Sequence, residues 1–270
     1  MRRRTVLTAC GVGVAGLAGC TDDTRSRTRT DNRADPPATA TTPTPEPAVS
    51  VTFDSLQPAR VALDTDYLSI SAAERQHLFV AVESEGRLAR DAFAFQFDGE
   101  TYAPLEPLAR GTYRAYGDGA YGEETSNGWL LFSLPEQGDG STARLSWPGG
   151  EWTPDESVRA RLTAPEPPMA ATVSMPERAE NGSAFTLSVE VTNEGGIGGR
   201  FVAAVSRYGP QVAATPVERV SAFVRPGESV TRTYSQTLHA DTDDVGDGEP
   251  DATYEFQWVG SGAERKVGLT

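Results

Sequence analysis

The sequence predicts an all-β chain, two β-sandwiches in tandem behind a leader and an unstructured linker. Three observations carry this. Apolar and polar residues alternate over short segments, most cleanly in Phe185-Thr186-Leu187-Ser188-Val189-Glu190-Val191. Turn signals such as Asp98-Gly99, Gly195-Gly196 and Pro226-Gly227 punctuate the chain at short intervals. No stretch beyond residue 48 shows the apolar period of an amphipathic helix.

The chain opens Met1-Arg2-Arg3-Arg4-Thr5-Val6-Leu7, then runs apolar or small to Gly19, broken by Thr8. A basic start, a short apolar stretch and small residues form the secretory pattern. The apolar stretch is shorter than the roughly 20 residues that span a bilayer. Residues 1–19 are read as a signal peptide. Residues 20–48 follow as a linker, and from Pro36 to Pro47 it is nearly all Pro, Thr and Ala. Such a composition buries no core and samples stiff, extended conformations, so it serves as a spacer. Its threonines are candidate O-glycan acceptors.

The first sandwich is placed at 49–164. Val49, Val51 and Phe53 alternate, and His77-Leu78-Phe79-Val80-Ala81-Val82 is a compact apolar run. Phe93, Phe95 and Phe97 share a face, and Gly128-Trp129-Leu130-Leu131-Phe132-Ser133-Leu134-Pro135 reads as another strand. Arg144–Trp147 and Val158–Leu162 complete the set, the latter read as period two. Leu105 to Asn127, rich in Gly and Tyr, reads as a long excursion. Pro165-Glu166-Pro167-Pro168 marks the boundary, and the second sandwich is placed at 168–270. Its strands are Phe185–Asn193, Phe201–Val205, Val230–Tyr234 and Tyr254–Trp258.

Composition narrows the chemistry. Cys10 and Cys20 are the two cysteines; loss of residues 1–19 removes Cys10 and leaves Cys20 with no second cysteine for a disulfide within the chain or a multi-thiolate metal site. The full chain has 24 basic and 38 acidic residues; without Arg2, Arg3 and Arg4 the balance is 21 against 38, or −17. That surface argues against nucleic acid and anionic lipid headgroups as partners. Lys266 is the single lysine. An acidic, lysine-poor composition resembles that of proteins from extremely halophilic archaea.

Motifs for catalysis are missing. His77 and His239 are the only histidines, without the i, i+4 partner of a helical zinc site, and no G-x-S-x-G elbow, P-loop or dinucleotide fingerprint occurs. No cofactor is expected and the chain is read as a non-enzyme. Asp241, Asp243 and Asp247, in an acidic Gly-containing loop, supply the oxygen ligands calcium takes but miss the EF-hand register, and a solvated loop is the preferred reading. Asn181-Gly182-Ser183 is an N-glycosylation sequon in a turn. Trp129 and Trp258 read as core, whereas Trp147 and Trp152, flanking Pro148-Gly149-Gly150, are candidates for an exposed ligand-stacking surface.

Several resemblances add to this. Arg3-Arg4-Thr5-Val6-Leu7 is similar to the twin-arginine export consensus, with Val6 where Phe is commoner; it implies folding before export. Leu17-Ala18-Gly19-Cys20 resembles a lipobox, which implies a lipid on the Cys20 thiol and attachment to the outer face of the cell membrane. The run Val191-Thr192-Asn193-Glu194-Gly195, with the later Pro226-Gly227-Glu228-Ser229, resembles CARDB-type immunoglobulin-like surface domains over roughly 168–268. The first sandwich is more weakly similar to immunoglobulin-like domains of lipoproteins, though it has Glu83-Ser84-Glu85-Gly86 where an Asn-Gly turn is usual. These likenesses imply adhesion, display or contact with envelope proteins or glycans. The alternative is a solute- or carbohydrate-binding accessory of a transporter or secreted enzyme.

Overall fold

The apolar-polar alternation is realised as paired strands in both halves of the chain. The computed structural model describes residues 48–71, 74–86, 88–106, 112–113, 119–122, 125–241 and 250–270. In the first lobe the strands are β1 (Val49–Gln57), β2 (Arg60–Leu63), β3 (Leu68–Ser71), β4 (Arg75–Ser84), β5 (Ala94–Phe97), β6 (Glu100–Tyr102), β7 (Thr112–Tyr113), β8 (Asn127–Pro135), β9 (Arg144–Trp147) and β10 (Gly150–Trp152). They form one sheet ordered β1-β4-β8, a second ordered β10-β9-β5-β6, and a small third one, β3-β2-β7. Between the first two sheets lie Leu78, Val80 and Val82 of β4, Leu130, Phe132 and Leu134 of β8, and Phe95, Phe97 and Leu145 from the opposite sheet. Burying each such side chain contributes roughly 1.5–3 kcal/mol, which a lobe without disulfides depends on.

Part of this lobe is built from two copies of one strand–turn–hairpin unit, β4 to β6 and β8 to β10. A 3-10 turn at Arg90–Ala92 leads into β5 and β6, and one at Gly140–Thr142 leads into β9 and β10. Pairing repeats the relation: Val80 sits opposite Leu130 and Phe95 opposite Leu145, a separation of 50 positions in both sheets. At these two pairs each residue faces its own counterpart 50 positions on, which places a local two-fold axis through both sheets. The hairpin turns differ. Asp98 and Gly99 both have positive φ, as a type I′ turn requires, while Pro148-Gly149 places the positive φ on Gly149.

Val158–Leu162 is not a strand. It lies in the one α-helix among the described residues, α1 (Glu156–Thr163). The spacing of Val158 and Leu162 fits a strand's period of two and equally a helix's i, i+4 face, and both are buried on one side of α1. The N-terminus decides: the Asp155 carboxylate accepts the Val158 N–H at 2.9 Å, a helix cap. At the other end, Gln76 Nε2 donates to the Leu162 carbonyl at 2.9 Å, tying α1 to β4.

The second lobe has β11 (Met169–Ser174), β12 (Arg178–Ala179), β13 (Ala184–Asn193), β14 (Gly199–Tyr208), β15 (Thr215–Val224), β16 (Ser229–Thr237), β17 (Ala252–Trp258) and β18 (Ser261–Leu269). Sheets ordered β11-β13-β16 and β12-β18-β17-β14-β15 face each other as an immunoglobulin-like sandwich. Leu187, Val189, Val191, Val205, Tyr254 and Phe256 are part of its core. Fully buried Asn193 joins the two halves of the motif singled out above. Its Nδ2 donates to the Ile197 and Val224 carbonyls at 2.7 and 3.0 Å, and its Oδ1 accepts the Gly195 N–H at 2.8 Å. Its backbone exchanges hydrogen bonds with the Pro226–Ser229 turn, accepting from Gly227 and donating to Glu228. Gly227 there has φ +68°, which a side chain would oppose.

The described residues belong to one compact unit. A third cluster joins the lobes: Ala59, Val61 and Leu68 pack against Val202 and Ala204 of β14, each 1% exposed or less. The β2–β3 hairpin thus covers the outer face of the five-stranded sheet.

Candidate binding surfaces

The seam between the lobes is held by polar contacts as well as apolar ones. The Leu68 N–H donates to Ser206 Oγ at 2.8 Å, and Arg219 Nη2 donates to Gln57 Oε1 at 3.3 Å; Gln57, Ser206 and Arg219 are all buried. At the rim of the seam lies a mostly apolar groove of about 200 Å³. Pro58, Pro167, Met169, Val202 and Trp258 are among its walls, with Glu166 and Arg200 as its charged members. It is smaller than the several hundred Å³ typical of ligand pockets.

A polar cleft of the second lobe lies at the end of β17 and β18 away from Trp258. It encloses about 490 Å³. Arg178, Arg265 and Lys266 line it together with Glu177, Asp251 and Glu264, so its charges balance. Arg265 is committed to structure, since Nε and Nη2 both donate to the Val173 carbonyl across the sandwich, at 3.2 and 3.1 Å. Asp251 accepts the Leu269 N–H and Lys266 pairs with Glu264 at 3.4 Å.

Trp147 and Trp152 do not flank an open concavity. Both are half-buried against the first-lobe core. Trp147 pairs across the hairpin with Gly150 and Leu145 with Trp152, which puts both indoles on the core-facing side. The Trp147 ring lies over Gly150, where an added Cβ would come within 2.8 Å of it, and packs 6.0 Å from Phe93. Trp129 is buried, with Phe79 at 5.5 Å, and Trp258 is half-buried 6.0 Å from Phe201. The excursion after Leu105 supplies a core residue that the sequence did not suggest: Tyr121 is fully buried, edge-on to Phe93 at 5.3 Å.

Asn181 occupies the expected turn, with its amide engaged on both sides. Nδ2 donates to the Ala240 carbonyl at 2.8 Å and Oδ1 accepts the Ala240 N–H at 3.1 Å. Of the acidic loop, Asp241 is described and accepts from Gln211 at 2.7 Å; Asp243 and Asp247 lie outside the described residues, as do Arg3, Arg4 and Cys20. No group of three or more His, Cys, Asp or Glu side chains suited to a metal occurs among the described residues. His77 is buried between Gln57 and Ser133 on the neighbouring strands. Burial, helped by Arg60 and Arg75, lowers its pKa to about 4, so it is neutral at pH 7. His239 is exposed, beside Gly182.

No family model matches the chain, and no curated protein matches it. Solved structures match in part. A β-glucosidase from Listeria innocua, in complex with isofagomine, is 14% identical over 39% of this chain and 17% of its own, with a TM-score of 0.31. A β-glucosidase from Streptomyces venezuelae, in complex with D-glucose, is 18% identical over 39% of this chain and 15% of its own, at 0.27. The CARDB domain of a Pyrococcus furiosus protein, in complex with di-metal ions, is 16% identical over 38% of this chain and 94% of that domain, at 0.29. The chain spans about a sixth of the length of the β-glucosidases. The CARDB domain is of the kind that the 168–268 motif resembles.

Proposed function

We propose that this chain is a lipid-anchored envelope protein that displays a rigid, non-catalytic binding body on a stalk. Export by the twin-arginine route, lipidation of Cys20 and a Pro-Thr spacer deliver and hold it. The linker up to residue 48 lifts two sandwiches, 49–164 and 168–270, off the membrane surface.

The observation that carries the reading is the filled seam. Where a cleft-bearing enzyme leaves open space between lobes, Ala59, Val61 and Leu68 are packed against Val202 and Ala204. Function then resides on outer faces, as adhesion and display require. The test is cell fractionation with Cys20→Ser. The wild type is expected in the membrane fraction and cleavable by external protease, with the variant released to the medium. A variant that stays in the membrane fraction, or a wild type shielded from protease, contradicts the reading.

A further inference from the structure

We propose that the outer face of the β11-β13-β16 sheet binds neutral polysaccharide. This deepens the adhesion reading above and rests on it for its biological setting, naming the chemistry of the partner.

The face follows from the strand period. Val173, Leu187, Val189 and Val191 point into the core, so their sequence neighbours point out. Every outward residue of β16 is a Ser or Thr: Ser229, Thr231, Thr233, Ser235 and Thr237. Opposite them on β13 stand Thr192, Glu190, Ser188, Thr186 and Ala184 in that order. The next strand continues the pattern, with Ser174 beside Ser188 and Thr172 beside Glu190. Glu190 is thus the one charged residue pointing outward from this sheet, and Ala170 and Ala184 are the other positions without a hydroxyl.

Strand propensity accounts for threonine, but it does not account for the lack of charge. The chain holds 38 acidic residues, and its other open sheet surfaces carry them: Arg144 and Glu151 pair on β9 and β10, and Glu264 and Lys266 on β18. A surface whose single outward charge is Glu190 is a poor site for a charged partner. Hydroxyls each donate one hydrogen bond and accept two, so an array of them complements another hydroxyl-bearing surface. Strands about 4.8 Å apart, with outward residues roughly 6.7 Å apart along each, give this array a regular spacing. The contacts are hydrogen bonds between neutral groups, so binding tolerates the salt that screens ionic attraction beyond about 3 Å at 1 M. The sheet's other face is core, and nothing among the described residues covers this one.

The test is retention of the folded full-length chain on amylose, cellulose and chitin particles, at low salt and at about 1 M NaCl. Retention on at least one particle is expected, equal at both salts. Thr231→Val/Thr233→Val removes hydroxyls without adding charge and is expected to weaken retention about tenfold; Thr233→Asp alone does the same if the double variant melts early. Thr101→Asp, exposed on the first lobe, leaves retention unchanged. No retention on any particle overturns the proposal. So does retention that falls with salt, or retention that survives both variants. If Cys20→Ser shows the chain is not envelope-anchored while retention obeys these rules, the display reading fails and the binding face stands.

Discussion

Ser206 Oγ holds both backbone groups of Leu68, accepting its N–H at 2.8 Å and facing its carbonyl at 3.4 Å across 138 positions of sequence. One hydroxyl on β14 therefore fixes the β2–β3 hairpin of the first lobe against the second. Ser206→Ala leaves the buried Leu68 N–H without its acceptor, a loss of about 1–3 kcal/mol. Urea unfolding is expected to show a lower midpoint with one shared transition for both lobes. An unchanged midpoint means that the apolar seam alone sets the lobe arrangement.

Asn193 ties the end of β13 to the turns that follow β13 and β15 in the second sandwich. Asn193→Ala strips three hydrogen bonds from a fully buried site, leaving the Ile197 and Val224 carbonyls and the Gly195 N–H without these partners. The expected loss is about 3 kcal/mol or more. Asn193→Asp keeps the acceptor, loses the donors and buries a charge, so it is expected to cost at least as much. A thermal melt of either variant within a degree or two of the wild type contradicts this account.

His77 gives stability a pH dependence of definite sign. Its folded pKa of about 4 lies below the unfolded value of 6.5. Above pH 6.5 the imidazole is neutral in both states. Between 6.5 and 4 the unfolded chain takes up a proton that the folded chain refuses, so stability falls with pH by about 3 kcal/mol in total. His77→Gln is expected to remove that part of the slope, checked by urea midpoints at pH 7 and pH 4.5. Equal slopes in both proteins would show that His77 accepts the proton without unfolding.

Gly150 is required by the indole above it. Gly150→Val brings side-chain carbons against Trp147, whose ring already lies 2.8 Å from the place of a Cβ. Displacing it from Phe93 is expected to cost about 1–3 kcal/mol. Acrylamide quenching of tryptophan fluorescence is expected to rise in the variant and to be low in the wild type.

The all-β architecture was legible where one face of a strand is core and the other is solvent. Phe185–Asn193 shows this, and Asn193 with the Pro226–Ser229 turn showed where the second sandwich closes. Val158–Leu162 was misread because five residues satisfy both periods, and the deciding signal, Asp155 before the apolar pair, lies outside the run. The two-copy build of the first lobe escaped notice because the copies share little identity: Gly99 and Gly149, or Pro104 and Pro154, match, while Phe97 and Tyr102 are replaced by Trp147 and Trp152. The seam left no trace in the sequence, since Ala59, Ala204 and Ser206 are small residues that any strand accommodates. Trp147 and Trp152 looked exposed for their flanking Pro and Gly, but cross-strand pairing, not neighbours in sequence, sets which way they face.

The most direct test of the anchored-display account is the intact mass and N-terminal sequence of the protein extracted from membranes. The account predicts a chain beginning at Cys20 with a thioether-linked lipid on that residue. A mature chain that retains residues 1–19, or that starts at Cys20 with a free thiol, contradicts it.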